Sequence, residues 1–483
     1  MNAALRKVSL AAFLLLLALL ININVLQAVQ ARSLATKPGN TRAIIASYNV
    51  KRGYIVVGNT VVATSEATTD QLRYLRTYPG GPMYAAVTGY ASQFTRTGIE
   101  GAENSVLSGQ DDRLFVHRLS NILNGKQEQG GIVRLTIDPK VQKAAWDAMQ
   151  GKVGAAVAID PSTGAILAMV STPSYDPSLL ALHDTDAVNA AMKKLTDDPN
   201  QPLLNRAIAQ TYPPGSTFKV ITSAAALASG MTPDTLIDAP HRFPLPQTTI
   251  ELHNFNDELC QPSQNGKQTL LQALTISCNT AFAKLGLGLG ADALRKQAEA
   301  FGFNDPHLDL PTRAAASVFP STLNNPQTAQ SAIGQFDVRM TPLEAAMIAA
   351  AIANHGKLET PYLVSSLEGP NLQPIGTTHP TDYRQATTRA IADQLTQMML
   401  SVVQQGTGTT AQIPGLSVAG KTGTAQNAPG HAPHAWFIGF VPGETSHIAV
   451  AVIVESGDTG GDDVTGGKVA APIAKAMIQA AQR

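Results

Sequence analysis

The chain opens on one long apolar run. It extends from Val8 to Ile21 and continues through Asn22, Ile23, Asn24, Val25 and Leu26. That matches the roughly 20 residues a helix needs to cross a bilayer. Arg6 and Lys7 precede the run, which favours an inside N-terminus and places the remainder outside. The run length favours a membrane anchor over a cleaved signal peptide, for which Val29-Gln30-Ala31 would be a poor small-residue cleavage site. The longest later apolar stretch, Met347–Ala353, is Ala-rich and far too short to span. A polar stretch, Arg32–Arg42, follows the anchor. Strand-like segments come next at Gly53–Val57 and Thr60–Ala63. Leu107–Leu123 has helical spacing, and the Gly/Pro/Tyr-rich Tyr78–Tyr90 reads as turns and loops.

The pattern changes near residue 153. Val153–Ile159 and Ala165–Val170 are apolar runs about an Asp160-Pro161-Ser162-Thr163-Gly164 turn. Two such runs predict a hairpin, and hence an antiparallel sheet. Helical patterns follow at Phe218–Ala228, Leu270–Leu287 and Leu343–Asn354. Strands return at Leu416–Ala419, Ala435–Phe440 and His447–Glu455, before a last helix over Ala470–Ala481. Strands at both ends with helices between predict an α+β domain whose sheet closes from distant parts of the chain. The expected division is a tip and anchor over 1–31, a small extramembrane unit over 32–150 and a larger domain over 151–483. No internal repeat or low-complexity tract interrupts it.

Composition narrows the function. In 483 residues, Lys+Arg and Asp+Glu balance at 35 each. A broad nucleic-acid surface would need clustered excess Lys and Arg, so nucleic acid is not an expected partner. Cys260 and Cys278 are the two cysteines, too few for a disulfide scaffold or a C-x-x-C zinc site. Outside the membrane they could form a single disulfide.

Candidate chemistry centres on Tyr212-Pro213-Pro214-Gly215-Ser216-Thr217-Phe218-Lys219. Pro-Pro-Gly makes a turn and a helical pattern starts directly after it. Ser216 therefore falls near a helix N-terminus, where free N–H groups and the dipole favour negative charge. Lys219 lies one turn along the same face. A desolvated amine beside a serine can act as its base. Alone, Ser-x-x-Lys arises by chance about once in a chain of this size. It would then be a capping serine beside an exposed lysine.

Lys421-Thr422-Gly423-Thr424-Ala425 is the second element. The lysine and the hydroxyls can hold a carboxylate, and Gly423 would let substrate approach the backbone. A third element, Ser-x-Asn, occurs at Ser47/Asn49, Ser263/Asn265 and Ser277/Asn279. The first precedes the larger domain, and the second lies in a polar, turn-like loop. Ser277 and Asn279 sit among apolar residues near helical structure and are the choice, with Ser263/Asn265 in reserve.

Ser-x-x-Lys, Ser-x-Asn and Lys-Thr-Gly in that order form the signature of penicillin-binding proteins and serine β-lactamases. The chain resembles the penicillin-binding proteins further at Ile159–Tyr175, Leu270–Phe282, Trp436–Phe440 and Gly466–Pro472. Arg52-Gly53-Tyr54-Ile55 resembles the start of a class B pedestal domain. The likeness runs from anchor to C-terminus and is nearest to the short class B proteins of actinobacteria. Residues 32–150 are too short for the glycosyltransferase domain of class A members.

The resemblance implies a serine β-lactamase/transpeptidase-like fold, an antiparallel sheet flanked by helices, after the anchor and a small, mainly β pedestal. It also implies a D,D-transpeptidase that cross-links stem peptides ending in D-Ala-D-Ala and is inhibited by β-lactams. Ser216 would attack, and Lys219 would take its proton. Backbone N–H groups of Ser216 and Thr424 would hold the oxyanion. Ser277, helped by Lys421, would relay a proton to the departing D-alanine. Asn279 would hold the substrate amide and orient Lys219, while Thr422 and Thr424 would bind the terminal carboxylate. No cofactor or metal is needed for this chemistry. The implied partner is a membrane glycan polymerase of the shape, elongation, division and sporulation (SEDS) type.

The rivals are a D,D-carboxypeptidase, a β-lactamase, and a non-catalytic β-lactam sensor or scaffold. Anchor and pedestal favour the transpeptidase, an intact triple argues against silence, and the short stretch before the anchor argues against a sensor. His431 and His434 read as a mobile loop rather than a zinc site, for want of four ligands. Asp458, Asp462 and Asp463 read as a solvated loop, since their spacing fits no EF-hand. Trp436 and Phe437 are expected in the core.

Overall fold

The computed structural model describes residues 2–30, 41–125, 127–306, 308, 310, 312–426, 432–443, 448–455 and 465–482. Most of the polar stretch after the anchor, His431, and the cluster Asp458, Asp462 and Asp463 lie outside them. Helix α1 covers Asn2–Asn24 and runs into a π-helical turn, Val25–Val29. Ala4–Val29 is long and apolar enough to cross a membrane and is left unburied by the described residues.

A six-stranded sheet follows. Its strands are β1 (Ile55–Val57), β2 (Thr60–Ala67), β3 (Tyr74–Thr77), β4 (Ile132–Leu135), β7 (Val364–Glu368) and β8 (Pro374–Thr377). They are ordered β8-β7-β4-β1-β2-β3. Two of these strands come from far downstream, inside the stretch read as one larger domain. Glu100, fully buried, ties the unit together by pairing with Arg52 at 2.5 Å and Arg76 at 2.6 Å. Burial alone would raise the Glu100 carboxyl, but the two guanidinium groups hold it below its ordinary value. Tyr78–Tyr90, expected as turns and loops, contains a 3-10 turn at Gly81–Met83 and a helical turn at Ala85–Thr88.

The second sheet has five strands. They are β5 (Gly154–Ile159), β6 (Ile166–Thr172), β9 (Ala419–Ala425), β10 (His434–Phe440) and β11 (Ala449–Val454). Their order is β9-β10-β11-β5-β6, antiparallel throughout. Alternation along each strand divides the apolar residues between two cores. Val157, Trp436, Ile438, Ala451 and Ile453 face one. Ala156, Ala158, Phe437, Val450 and Val452 face the other. That second face is covered by α2 (Pro139–Met149) and α7 (Gly466–Ala481). The first is covered by a helical layer holding α3 (Lys219–Ala228), α4 (Asn279–Leu289), α5 (Pro342–Ala353) and α6 (Arg389–Gln405). Cover on both faces explains why these strands read as continuous apolar runs.

Candidate active site

Ser216 reaches its position through the local turn. Gly215 takes φ +52°, a conformation that costs a glycine little. Its N–H donates to Gly334 O at 2.9 Å, and Trp436 Nε1 donates to Pro213 O at 3.0 Å. These bonds fix the turn against β10. The 3-10 turn Gly215–Phe218 leads into α3, so Ser216 stands one turn ahead of Lys219, as the spacing predicts. The Ser216 hydroxyl has no hydrogen-bond partner among the described residues. It lines a cleft with a volume of about 1990 Å3, larger than the usual small-molecule pocket.

Lys219 is fully buried and makes three hydrogen bonds. Its Nζ donates to Ser277 O at 2.7 Å, Ser277 Oγ at 3.2 Å and Asn279 Oδ1 at 2.6 Å. Lys421, also fully buried on β9, donates to Ser277 Oγ at 2.9 Å and Thr422 O at 2.8 Å. Two amines therefore meet at one hydroxyl. Burial, and then the charge of Lys421, holds the Lys219 amine well below the ordinary lysine range. Burial pushes Lys421 down to about 7. No carboxylate contributes to either shift, so desolvation is uncompensated and the neutral amine gains.

The Ser277 turn differs from expectation. A continuous helical pattern over Leu270–Leu287 is broken into Leu270–Thr275 and α4. Between them Ser277 adopts φ +62°, which points its backbone and side-chain oxygens at the two lysines. Of the three Ser-x-Asn candidates, only Ser277/Asn279 reaches the lysines. Ser47 lies at the end of the helix Thr41–Tyr48, its hydroxyl donating to Ile44 O. Asn265 is exposed in the Gln264–Lys267 turn, beside Ser263.

Cys260 and Cys278 form a disulfide with Cα atoms 5.8 Å apart, separated by 18 residues in sequence. The bond ties the middle residue of the Ser277 turn to the cleft wall. Replacing both cysteines by serine is expected to lower stability by about 3 kcal/mol, the entropy of opening a loop of this length. Thermal unfolding with and without reductant measures it, and an unchanged midpoint would contradict the estimate.

Lys421, Thr422, Gly423 and Thr424 lie on β9, the edge strand, in register with Ile438, Phe437, Trp436 and Ala435. The strand begins at Ala419, where the sequence suggested it would end. Thr422 and Thr424 line the cleft, and Thr422 Oγ1 hydrogen-bonds Thr407 Oγ1 at 2.5 Å. Thr407 carried no sequence signal. Gly423 has a different reason from the expected one. A Cβ there would lie 2.9 Å from Thr217 Cγ2 and 3.0 Å from Pro214 O and Trp436 Cβ. The missing side chain makes room for the Ser216 turn. Gly423→Ala is expected to cost about 1–3 kcal/mol through overpacking, measured by denaturant unfolding.

The wall behind Ser216 is braced by Glu455, which accepts from Arg206 Nε at 2.7 Å and Tyr212 OH at 2.6 Å. Burial, and then the Glu455 charge, holds the Tyr212 phenol far above its ordinary value. His434 opens β10 as a buried residue packed edge-on to Tyr212, not part of the mobile loop expected. Among the described residues no group of three or more His, Cys, Asp or Glu side chains could hold a metal. Trp436 and Phe437 are fully buried.

An antiparallel sheet under helices, with a serine and two buried lysines meeting at its edge strand, defines the class of penicillin-recognising serine enzymes. Residues 154–479 match the penicillin binding protein transpeptidase domain, and residues 52–133 the penicillin binding protein A dimerisation domain. The chain belongs to the penicillin-binding protein transpeptidase family. It is 46% identical to the peptidoglycan D,D-transpeptidase PbpA of Mycolicibacterium smegmatis, over 100% of this chain and 99% of that protein. Identity to the Mycobacterium tuberculosis PbpA is 44%, with the same coverage. The ceftriaxone acyl-enzyme structure of the M. tuberculosis penicillin-binding protein A superposes with a TM-score of 0.88 at 44% identity, covering 91% of this chain and 100% of that one.

Proposed function

We propose that the protein is a peptidoglycan D,D-transpeptidase working through a Ser216 acyl-enzyme. Ser216 Oγ attacks the carbonyl carbon between the two terminal D-alanines of a stem peptide, and its proton passes to Lys219. N–H groups of Ser216 and Thr424 hold the oxyanion, a task worth several kcal/mol per donor. The C–N bond breaks as Ser277, charged by Lys421, protonates the departing D-alanine amine. An amine of a neighbouring stem peptide then attacks the ester, its proton passing through Ser277 to the now neutral Lys421, and the C–O bond breaks as Lys219 returns its proton to Ser216 Oγ. Asn279 orients Lys219 and holds the substrate amide, and Thr422 and Thr424 receive the terminal carboxylate. β-Lactams acylate the same serine.

The observation that carries this reading is the pair of buried amines on one hydroxyl beside a free serine. Burial, and then the Lys421 charge, shifts Lys219 toward its neutral form, the form that can accept the Ser216 proton. Residues 1–31 act as tip and anchor, 32–150 as pedestal and 151–483 as catalytic domain, with β7 and β8 lent to the pedestal sheet. The catalytic domain faces the outside of the cell membrane, and a SEDS-type glycan polymerase meets the anchor and pedestal. The test is purified full-length protein with a D-Ala-D-Ala donor and an amine acceptor. Acceptor-dependent amide product is expected. Free acid alone at every acceptor concentration would make the protein a carboxypeptidase.

A further inference from the structure

Both lysine contacts pass through the Ser277 turn, whose left-handed backbone costs a non-glycine residue of order 1–3 kcal/mol unless its surroundings impose it. Much of that imposition comes from one segment, Glu251–Cys260. Within it Asn254 is only 6% exposed. Its Oδ1 accepts from the N–H groups of Asn279 at 2.8 Å and Thr280 at 3.2 Å. These are the first donors of α4, whose N-cap residue Cys278 offers them no side-chain capping bond. Asn254 thus caps the helix from a distant part of the chain. Its Nδ2 donates to Glu258 O at 3.0 Å, which fixes which amide atom faces the helix. The neighbouring His253 O accepts from Asn279 Nδ2 at 3.3 Å, leaving Asn279 Oδ1 turned toward Lys219.

We propose that Asn254 is a positioning residue for acylation, holding the Ser277–Asn279 turn where both buried lysines can use it. The inference rests on the proposed role of Ser216. Asn254 touches neither lysine and acts through Asn279. In Asn254→Ala, two helix-terminal donors lose their acceptor and the turn relaxes. In Asn254→Asp, an oxygen still accepts from both N–H groups, the bond to Glu258 O is lost, and a negative charge now stands one residue from the Lys219 contact. That charge favours the protonated Lys219 amine. Lys421 faces Lys219 from β9. Glu251, His253, Asp257 and Glu258 lie on the Asn254 segment itself, and both variants leave all of them in place.

The test measures the second-order rate of penicillin acylation across pH for the full-length protein, with Ser216→Ala as control. Asn254→Ala is expected to acylate roughly ten- to a hundredfold more slowly, the size set by unsatisfied buried donors. Asn254→Asp should approach the wild-type rate at the same pH as the pH rises, with its rising limb displaced to higher pH. Should the alanine variant fail to fold, the aspartate profile decides alone. A wild-type rate in Asn254→Ala, or an undisplaced limb in Asn254→Asp, would overturn the proposal. Absence of acylation in the wild-type protein would instead overturn the Ser216 reading.

Discussion

With Ser216 replaced by alanine, donor turnover is expected to fall by roughly 10^6-fold, the loss seen when a serine acyl-enzyme loses its nucleophile. Stability should change little. The hydroxyl is part-exposed to the cleft and is bonded to no described residue. The lysine contacts run to Ser277, Asn279 and Thr422 rather than to Ser216. The variant therefore separates chemistry from folding. Steady-state release of D-alanine alongside thermal unfolding makes the comparison. A variant retaining more than a small fraction of turnover at an unchanged unfolding midpoint would remove Ser216 from the mechanism.

Replacing Lys219 by arginine should slow acylation by about 10^2–10^4-fold, the usual contribution of a positioned base. A guanidinium keeps its proton at any working pH. The wild-type profile follows from the two amines. Lys219 accepts a proton only when neutral, and burial with the Lys421 charge lowers its pKa. Acylation should therefore rise with pH through that depressed value. Lys421 can supply a proton to Ser277 only when protonated, and burial lowers its pKa to about 7. Acylation should therefore fall as pH climbs above that value. The two amines share Ser277, so the limbs of the bell belong to the pair. In Lys219→Arg the rising limb should vanish. Acylation rates between mildly acid and alkaline pH check this, and an unaltered bell in the variant would refute the base assignment.

Much of this site was legible because short motifs carry their own geometry. Pro-Pro-Gly before a helical pattern fixes where Ser216 stands, and a three-residue step puts Lys219 behind it. Ser277/Asn279 could be chosen over Ser263/Asn265 because polar residues set among apolar ones tend to face a site. The strands β5, β6, β10 and β11 were legible from their apolar runs, whereas β9 was placed too early, at Leu416–Ala419. What escaped was non-local. Nothing in Val364–Glu368 announces that it will pair with β4, 232 residues upstream by the Arg134–Ser366 register; pairing depends on how the chain closes. The break at Ser277 is a single left-handed residue inside an apolar pattern. Asn254 carries no sequence motif, because its partners are donors 25 and 26 residues away. Gly423 was assigned to substrate because the packing of Thr217 and Trp436 against it is visible only in three dimensions.

The convergence of Ser216, Ser277 and Lys421 in one cleft is tested most directly by trapping the acyl-enzyme. Full-length protein is treated with penicillin, quenched in acid, digested and mapped by mass spectrometry. One penicillin per chain is expected, carried as an ester on the peptide containing Ser216 and absent when that residue is alanine. An adduct of the same stoichiometry on any other peptide would contradict the account.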